Sequence, residues 1–505
     1  IVLILMSISN SATTPPPIAL VLGLGVSGLA MARWLDAAGW EVRVADTRSA
    51  PPQLKQLQLE LPDARFIGGI LTPDLLDGVA LVASSPGISP HAKMPGNAAA
   101  LRAAAAAHNI PIVGELELFA RGLRELDVLY AYRPRVLAIT GTNGKTTVTS
   151  LAGKLVEAAG LRVEVAGNIG PCLLDRLHAC ERGHCLPDAW VLELSSFQLH
   201  DAHTFNPDAA VVLNITQDHL DWHADMSEYV ADKLKIFGQT TTAVRNRDEG
   251  DFPLTVQIRS KRQITFGLDE PNRHLDFGLQ ATVDMPWLVQ CLSAFGDAPL
   301  KKNQNPELSL HRLMPVESLH IRGRHNVSNA LAALALGVAV DLPLGASLRA
   351  LAIYRGEPHR VQPIAENAGV QYIDDSKGTN VGATVAAINS LGADLAVGGQ
   401  LVLILGGDGK GQDFAPLTAP LASYARAVAL IGKDAAAIEA ILPPKILMQR
   451  CATMAEAVAW SAAQAQTKDL VVLSPACASL DMYRDYAHRA ADFAQAVEAL
   501  SQGVA

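Results

Sequence analysis

The residues with the clearest chemical content lie at 138–147, AITGTNGKTT: an apolar run, a glycine-rich turn, a lysine and two adjacent threonines. Backbone N–H groups of the turn from Gly141 through Thr142 and Asn143 to Gly144, with the N-terminus of the helical stretch that follows, can surround phosphate oxygens. Lys145 can neutralise them, and Thr146, with Thr147 beside it, can hold Mg²⁺. This order reads as a site for ATP. The general phosphate-loop pattern has a glycine where this chain has Ile139, so the loop is a variant opened by Thr140 and Gly141.

Other candidate positions follow apolar runs. Glu193 ends the run in AWVLELSS, and His219 follows AVVLN within TQDHLDWH. Both can project from the sheet edge that carries the phosphate loop. Mg²⁺ prefers oxygen ligands, which suits Thr146 and Glu193; a histidine ligand is less usual, and each residue alone also fits an ordinary strand-end polar group. Downstream, SEYVADKLKIF reads as a helix capped by Ser227. Its Lys233 and Lys235 are separated by about 200° around the axis, so only one of them can face a site. Lys377 in SKG and Lys410 in GGDGK follow apolar strands, and two cations there suit a carboxylate-bearing substrate. Residues 473–483, LSPACASLDMY, read as a strand leading to small residues and a helix start whose N–H groups can bind a carboxylate; a tight turn packed with small residues is the other reading. His178, Cys180, His184 and Cys185 form the run HACERGHC, whose spacing matches no standard zinc pattern and reads as a surface insertion.

These positions need rigid elements behind them. Residues 18–48 are strand, glycine turn, helix and strand, with Gly23, Gly25 and Gly28 spelling GxGxxG and Asp46 closing the second strand. Strand signals at LVASSPG and IPIVGE continue the alternation to about residue 117. A second α/β run, residues 118–356, holds the phosphate loop, buried strands around Glu193 and before His219, and an apolar helix in RHNVSNALAALALGVAV. Residues 240–320 are punctuated by Gly, Pro and Asn and resist placement. A third alternation fills 357–505. The expectation is an α/β protein of three domains: Rossmann-like, a central phosphate-loop ATPase sheet, and a second Rossmann-like unit. Active sites then lie in clefts where the carboxyl ends of strands face one another.

The totals agree with a soluble enzyme. The 505 residues suffice for two to four cores, and 18% charged with 49% hydrophobic residues is ordinary for a globular α/β chain. A net charge of −9 argues against a nucleic-acid surface. Six cysteines without CxxC spacing fit free thiols in a reducing compartment, so a cytoplasmic location is expected. The opening IVLILM is too short to span a bilayer, and residues 1–17 read as a disordered or mis-assigned extension, with folding starting near Ile18.

Seven motifs occur in an order that resembles the ATP-dependent Mur ligases: GTNGKTT (141–147), LELSSFQL (192–199), DHLDWH (218–223), GRHN (323–326), PHR (358–360), DDSKGTN (374–380) and LSPACASLD (473–481). The likeness covers residue 18 to the C-terminus and is greatest to the branch that joins D-glutamate to UDP-N-acetylmuramoyl-L-alanine in bacterial cell-wall synthesis. It implies that ATP phosphorylates the acceptor carboxylate, that the amine of D-glutamate attacks the acyl phosphate, and that a tetrahedral intermediate releases phosphate, leaving ADP. No nucleic-acid or membrane partner is expected, and the expected state is a monomer.

Matched residue by residue, Lys145 and Thr146 are the loop lysine and metal hydroxyl, and Glu193 and His219 are ligands of two Mg²⁺ ions. Lys233 matches a family lysine that CO₂ carbamylates, with Lys235 its outward neighbour. Asn326, Asn329 and Arg360 resemble ATP contacts, with His359 beside them. Lys377, Thr379, Lys410, Ser479 and Leu480 resemble the D-glutamate pocket, where Tyr486 takes a position often held by Phe. Gly25, Val26 and Ser27 would face the pyrophosphate, Asp46, Thr47 and Arg48 the uridine, and Asn168 another part of the substrate. Apparent insertions fall near 121–133, 176–188 and 245–315. An NAD-dependent oxidoreductase would use GLGVSG and Asp46 but leave GTNGKTT, Glu193 and His219 idle, and a non-catalytic nucleotide switch would not need the lysines of the third domain. Within the ligases, addition of a different amino acid, or of glutamate to folate, is the nearest alternative. The DNPR-like signature of the diamino-acid ligases is absent.

Overall fold

A computed structural model describes residues 15–249, 262–283, 285–294, 307–321 and 323–502. Most of the N-terminal extension, and parts of the 245–315 insertion, lie outside the described residues. Three sheets organise the chain.

The first contains β1 (Ile18–Leu22), β2 (Glu41–Asp46), β3 (Arg65–Gly68), β4 (Val79–Ser84) and β5 (Ile112–Val113), all parallel in the order β3-β2-β1-β4-β5. Strand order reverses at β1, where the GxGxxG turn leads into the helix Val26–Ala37; open α/β sheets bind ligands at such a point. Gly28 is sterically required there, since a Cβ would lie 1.9 Å from the Gly23 carbonyl oxygen. A Cβ on Gly25 meets nothing within 4 Å, so that surface is free for a ligand.

The central sheet comprises β6 (Arg135–Thr140), β7 (Val163–Gly167), β8 (Ala189–Glu193), β9 (Ala209–Val212), β10 (Thr242–Asn246), β11 (Gln263–Phe266), β12 (Phe277–Ala281), β13 (Pro286–Ser293) and β14 (Leu308–Pro315) in the order β14-β13-β12-β11-β10-β9-β6-β8-β7. It is parallel from β7 to β12, and β13 and β14 add an antiparallel meander. The described residues of the stretch at 240–320 that resisted placement contain β10 to β14, which extend the sheet away from the phosphate loop. Its outer strands are irregularly buried, as in β14, so neither a strict alternation nor a continuous apolar run marks them.

The third sheet has β15 (Gln362–Asn367), β16 (Val370–Asp374), β17 (Leu401–Gly406), β18 (Ala425–Ile431), β19 (Leu447–Arg450) and β20 (Leu470–Leu473), ordered β15-β16-β20-β17-β18-β19 with only β15 antiparallel.

One core joins the first two sheets. The helix Glu115–Tyr130 packs between them, and its Phe119 meets Trp190 of β8 edge-on at 5.2 Å. Beyond its C-terminus, Tyr132 donates to the Pro187 carbonyl at 2.8 Å and accepts from Trp190 Nε1 at 3.0 Å. The apparent insertions at 121–133 and 176–188 therefore pack on each other. Cys180 is buried in the helix Leu173–Arg182 with its thiol 3.7 Å from Glu164, and all six cysteines are free. On the other face of the central sheet, the helices Lys145–Ala158 and Arg324–Ala339 pack side by side, the latter buried almost all round. No helix among the described residues is long and apolar enough to cross a membrane.

Candidate active site

Topology places the phosphate loop at the centre. β6 lies between β8 and β9, so the chain leaving Thr140 emerges between the segments following those strands. Register pairs Ile139 with Glu193 and Thr140 with Val212, which brings Glu193 level with the loop. Ile139 is 0% exposed and packs into the core against the helix behind it, and its carbonyl accepts from Leu194 N–H at 2.8 Å. A strand position inside the core explains why an apolar residue stands where the general pattern has glycine.

The loop is held from several directions. Thr142 Oγ1 contacts Tyr229 Oη at 2.9 Å and accepts from Thr216 N–H at 3.0 Å. Asn143 N–H donates to Asn214 Oδ1 at 2.8 Å, and Asn380 Nδ2, from the third domain, donates to Asn143 Oδ1 at 3.0 Å. Gly144 caps the following helix at φ 84°, and a Cβ there would lie 2.6 Å from Asn329 Oδ1. Lys145 Nζ donates to the Gly141 and Thr142 carbonyls, each at 2.9 Å. Arg360 Nη2 reaches across from the third domain to Thr146 Oγ1 at 3.2 Å.

Glu193 is 1% exposed. Its Oε1 accepts from Asn168 Nδ2 at 2.8 Å, whereas Oε2 is buried without a hydrogen-bond partner. A bare buried carboxylate oxygen level with the start of the phosphate loop suits a hard cation. His219 adopts φ 57°, stands 3.5 Å from Asp218 and meets the Phe197 ring at 4.7 Å. Burial lowers its pKa against the pull of Asp218, and the Lys410 charge adds to the lowering.

The two lysines of the following helix separate as their spacing requires. Lys233 is 2% exposed, lies over the Tyr229 ring at 4.7 Å and donates to the Gly141 carbonyl at 2.9 Å. Burial, reinforced by Lys145, drives its pKa well below the ordinary lysine range. Lys235 instead pairs with Asp232 at 2.8 Å on the outer face. The helix spans Met226–Leu234 and is capped by Asp225, whose carboxylate accepts from Glu228 N–H. Ser227, expected as the cap, lies inside the first turn.

Across the cleft, Lys377 sits 5.3 Å from the Tyr486 ring centroid, with its pKa lowered by burial and by Arg360. Lys410 is exposed and its N–H donates to Asp408 Oδ1 at 3.0 Å. Thr379 is half-buried between Lys377 and Asn380. Ser479 is buried in a turn and its carbonyl accepts from Tyr483 N–H at 2.8 Å, while Leu480 is 69% exposed. The helix expected to start near these residues begins at Tyr486, so the turn reading of 473–483 is correct and no helix N-terminus lies at Ser479. His359 pairs with Asp374 at 2.6 Å.

A cavity of about 450 Å³ adjoins the loop, lined by Asn143, Gly144, Asn326, Asn329 and Arg360. It also contains Asp375, which sequence reasoning passed over although it lies in the DDSKGTN motif. Burial pushes its carboxyl up to about 7, and Ser474 Oγ donates to it at 2.7 Å. His325, in the same cavity, is lowered by burial to about 4. Tyr229 was equally missed; its i, i+4 spacing from Lys233 was the available signal.

In the first domain, the Asp46 carboxylate accepts from Leu24 N–H at 2.7 Å and from Arg48 Nη2 at 2.7 Å, which leaves Thr47 and Arg48 at the surface. Ser27, half-buried in the first turn of its helix, lies 3.9 Å from the Cys172 sulfur. The turn carrying Asn168 and Cys172 thus runs from the GxGxxG helix to Glu193, linking the two clefts.

Comparison with known proteins agrees with the three-domain α/β architecture. The Mur ligase MurD-like N-terminal domain matches residues 18–114, the Mur ligase middle domain residues 139–337 and the glutamate ligase domain of Mur ligases residues 359–477. The UDP-N-acetylmuramoylalanine--D-glutamate ligase of Ralstonia nicotianae is 52% identical over 497 residues, covering 96% of this chain and 97% of the relative. That of Burkholderia thailandensis is 52% identical over 504 residues, covering 96% and 98%. The fold resembles MurF ligase from Thermotoga maritima, solved in complex with ADP, with a TM-score of 0.58 at 16% identity over 92% of this chain and 96% of that one. With three family domains in order and half the residues identical over nearly the full length, the chain belongs to the Mur ligase family.

Proposed function

We propose that this enzyme joins D-glutamate to UDP-N-acetylmuramoyl-L-alanine with cleavage of ATP to ADP and phosphate, acting as a cytoplasmic monomer in peptidoglycan precursor synthesis. The observation that carries the reading is the convergence of the phosphate loop, the bare oxygen of Glu193 and the cations Lys145, Lys233, Lys377 and Arg360 on one cleft between the central and third sheets. A free carboxylate is a poor acyl donor, and transferring a phosphoryl group to it creates a good leaving group.

Residues 18–117 hold the UDP end of the acceptor, with Gly25, Val26 and Ser27 at the diphosphate and Thr47 and Arg48 toward the uridine. Asn168 guides the acceptor toward Glu193. Residues 118–356 bind ATP: the loop N–H groups and Lys145 hold its phosphates, and Asn326, Asn329 and Arg360 contact the nucleotide. Thr146, Glu193 and His219 would hold Mg²⁺, which when bound would neutralise the charge gathered on the phosphates. Residues 357–505 bind D-glutamate through Lys377, Thr379, Lys410, Ser479, Leu480 and Tyr486. Lys377 and Lys410 pair with its carboxylates, leaving its amine to attack the acyl carbon; the tetrahedral adduct then expels phosphate.

Lys233 is the site of carbamylation. Only an uncharged amine attacks CO₂, and burial favours that form; the N–C bond forms as one proton leaves, and the product is an anion. A negative group there sits beside Thr140 and Gly141, where it can orient a cation.

The test is phosphate release. It should require ATP, Mg²⁺, the UDP-muramoyl-L-alanine acceptor and D-glutamate together; equal release with L-glutamate, or without acceptor, refutes the assignment.

A further inference from the structure

Among the described residues, one group of metal-ligating side chains lies outside these clefts, on the outer face of the Lys233 helix. His200 ends the short helix Ser196–His200, His223 lies in the turn after His219, and Glu228 and Asp232 are one helical turn apart. The ligand atoms of His200, Glu228 and Asp232 lie within 4.8 Å of one another. His223 Nδ1 stands 3.4 Å from Asp232 Oδ2 and 3.8 Å from Glu228 Oε2.

The His223 ring supplies the decisive observation. Its side chain is 0% exposed, enclosed by Phe197, Trp222 and Tyr229. Its Nε2 pairs with Ser196 Oγ at 2.9 Å, whereas its Nδ1 has no hydrogen-bond partner. When Nε2–H donates to the serine, a bare nitrogen lone pair faces two carboxylates. Acceptors gathered around a fully buried nitrogen repel one another unless a proton or a cation sits among them. The carboxylates are also held in place from outside: His91 Nε2 and Ala224 N–H each reach Glu228 Oε2 at 2.7 Å, and Lys235 Nζ holds Asp232 Oδ1 at 2.8 Å. Such outer contacts orient metal ligands.

We propose that His200, His223, Glu228 and Asp232 form a closed, four-coordinate site for a divalent ion of the zinc class. Two imidazoles favour such an ion over Mg²⁺. Ligand bonds near 2.0–2.1 Å around a tetrahedral ion place ligand atoms about 3.4 Å apart. The His223 distances already approach that spacing, and the 2.7 Å His200–Asp232 hydrogen bond opens as its proton leaves. The ion pins the helix that carries Lys233 to the Ser196–His200 helix and to the turn after His219. It therefore positions the cleft without touching substrate.

The full-length protein, loaded with Zn²⁺ and dialysed against excess Mg²⁺, is expected to retain one Zn²⁺ per chain by elemental analysis. Co²⁺ in its place should give the intense visible absorption of tetrahedral coordination. Glu193→Gln, which alters the phosphate-loop ligands, should leave both readouts intact. His223→Gln combined with Asp232→Asn should abolish retention, and His200→Gln alone, nearer the surface, should weaken it by at least ~10-fold. Absence of Zn²⁺ from wild type, an octahedral Co²⁺ spectrum, loss of the ion in Glu193→Gln, or full retention in His200→Gln would each overturn the proposal. The wild-type Co²⁺ spectrum decides the matter even if the double variant fails to fold.

Discussion

Gly144→Ala isolates the conformation on which the phosphate loop depends. Gly144 holds φ 84° and ψ −14°, a left-handed conformation that costs an L-residue about 1–2 kcal/mol. The added methyl would also lie 2.6 Å from Asn329 Oδ1 and 3.3 Å from Leu213 Cδ1. Asn329 is 7% exposed and donates to Asn326 Oδ1 at 3.1 Å, so it yields only by leaving its rotamer. That displacement costs about 0.5–1.5 kcal/mol. A free loop relieves the strain by abandoning this conformation, and the cost returns when the nucleotide restores it. The combined strain of roughly 1.5–3.5 kcal/mol should lower kcat/KM for ATP by roughly 10- to 400-fold. The assay is ADP formation with acceptor and D-glutamate saturating and ATP varied. Gly87→Ala is the control, because nothing lies within 4 Å of its added Cβ. A Gly144→Ala enzyme within twofold of wild type would refute the claim that the loop must be left-handed at this residue.

Glu193→Gln preserves the Asn168 contact but removes the charge from the bare oxygen; the Mg²⁺ concentration for half-maximal rate should rise by at least ~10-fold, read by titrating Mg²⁺ at fixed ATP. Lys233→Ala should lose most turnover, with partial recovery on adding short carboxylic acids; wild-type turnover in the variant would contradict the carbamylation assignment. Asp375 has its folded pKa raised from 3.8 to about 7, so its contribution to stability is fully present below 3.8 and is lost as pH rises through about 7. Asp375→Asn should therefore gain thermal midpoint relative to wild type between about pH 5 and about pH 8, and a constant difference across that range would contradict the burial argument.

Much of the site was legible because its residues stand where apolar runs end. The carboxyl ends of buried parallel strands are both the easiest elements to read and the place where α/β folds put chemistry. Glu193 and Lys377 stand out that way, and Lys233 by its place in ADKLKIF. What the chain order hides is adjacency. That Ile139 pairs with Glu193, and that Asn380 and Arg360 of the third domain reach Asn143 and Thr146, follows from sheet order and domain packing, which no local pattern encodes. The cap at Asp225 rather than Ser227 was ambiguous because both residues cap well and lie two positions apart. Residues 473–483 admit both a turn and a helix start because small residues serve both, and the helix begins only at Tyr486. The half-buried strands of 242–315 carry too little periodicity to announce themselves.

The central claim, that the enzyme activates its acceptor as an acyl phosphate, is tested most directly by labelling the acceptor's alanyl carboxylate with oxygen-18. The carboxylate oxygen that attacks the γ-phosphorus stays on phosphorus when the acyl carbon–oxygen bond breaks. One labelled oxygen should therefore appear in each phosphate released with product, and unlabelled phosphate accompanying amide formation would contradict the mechanism.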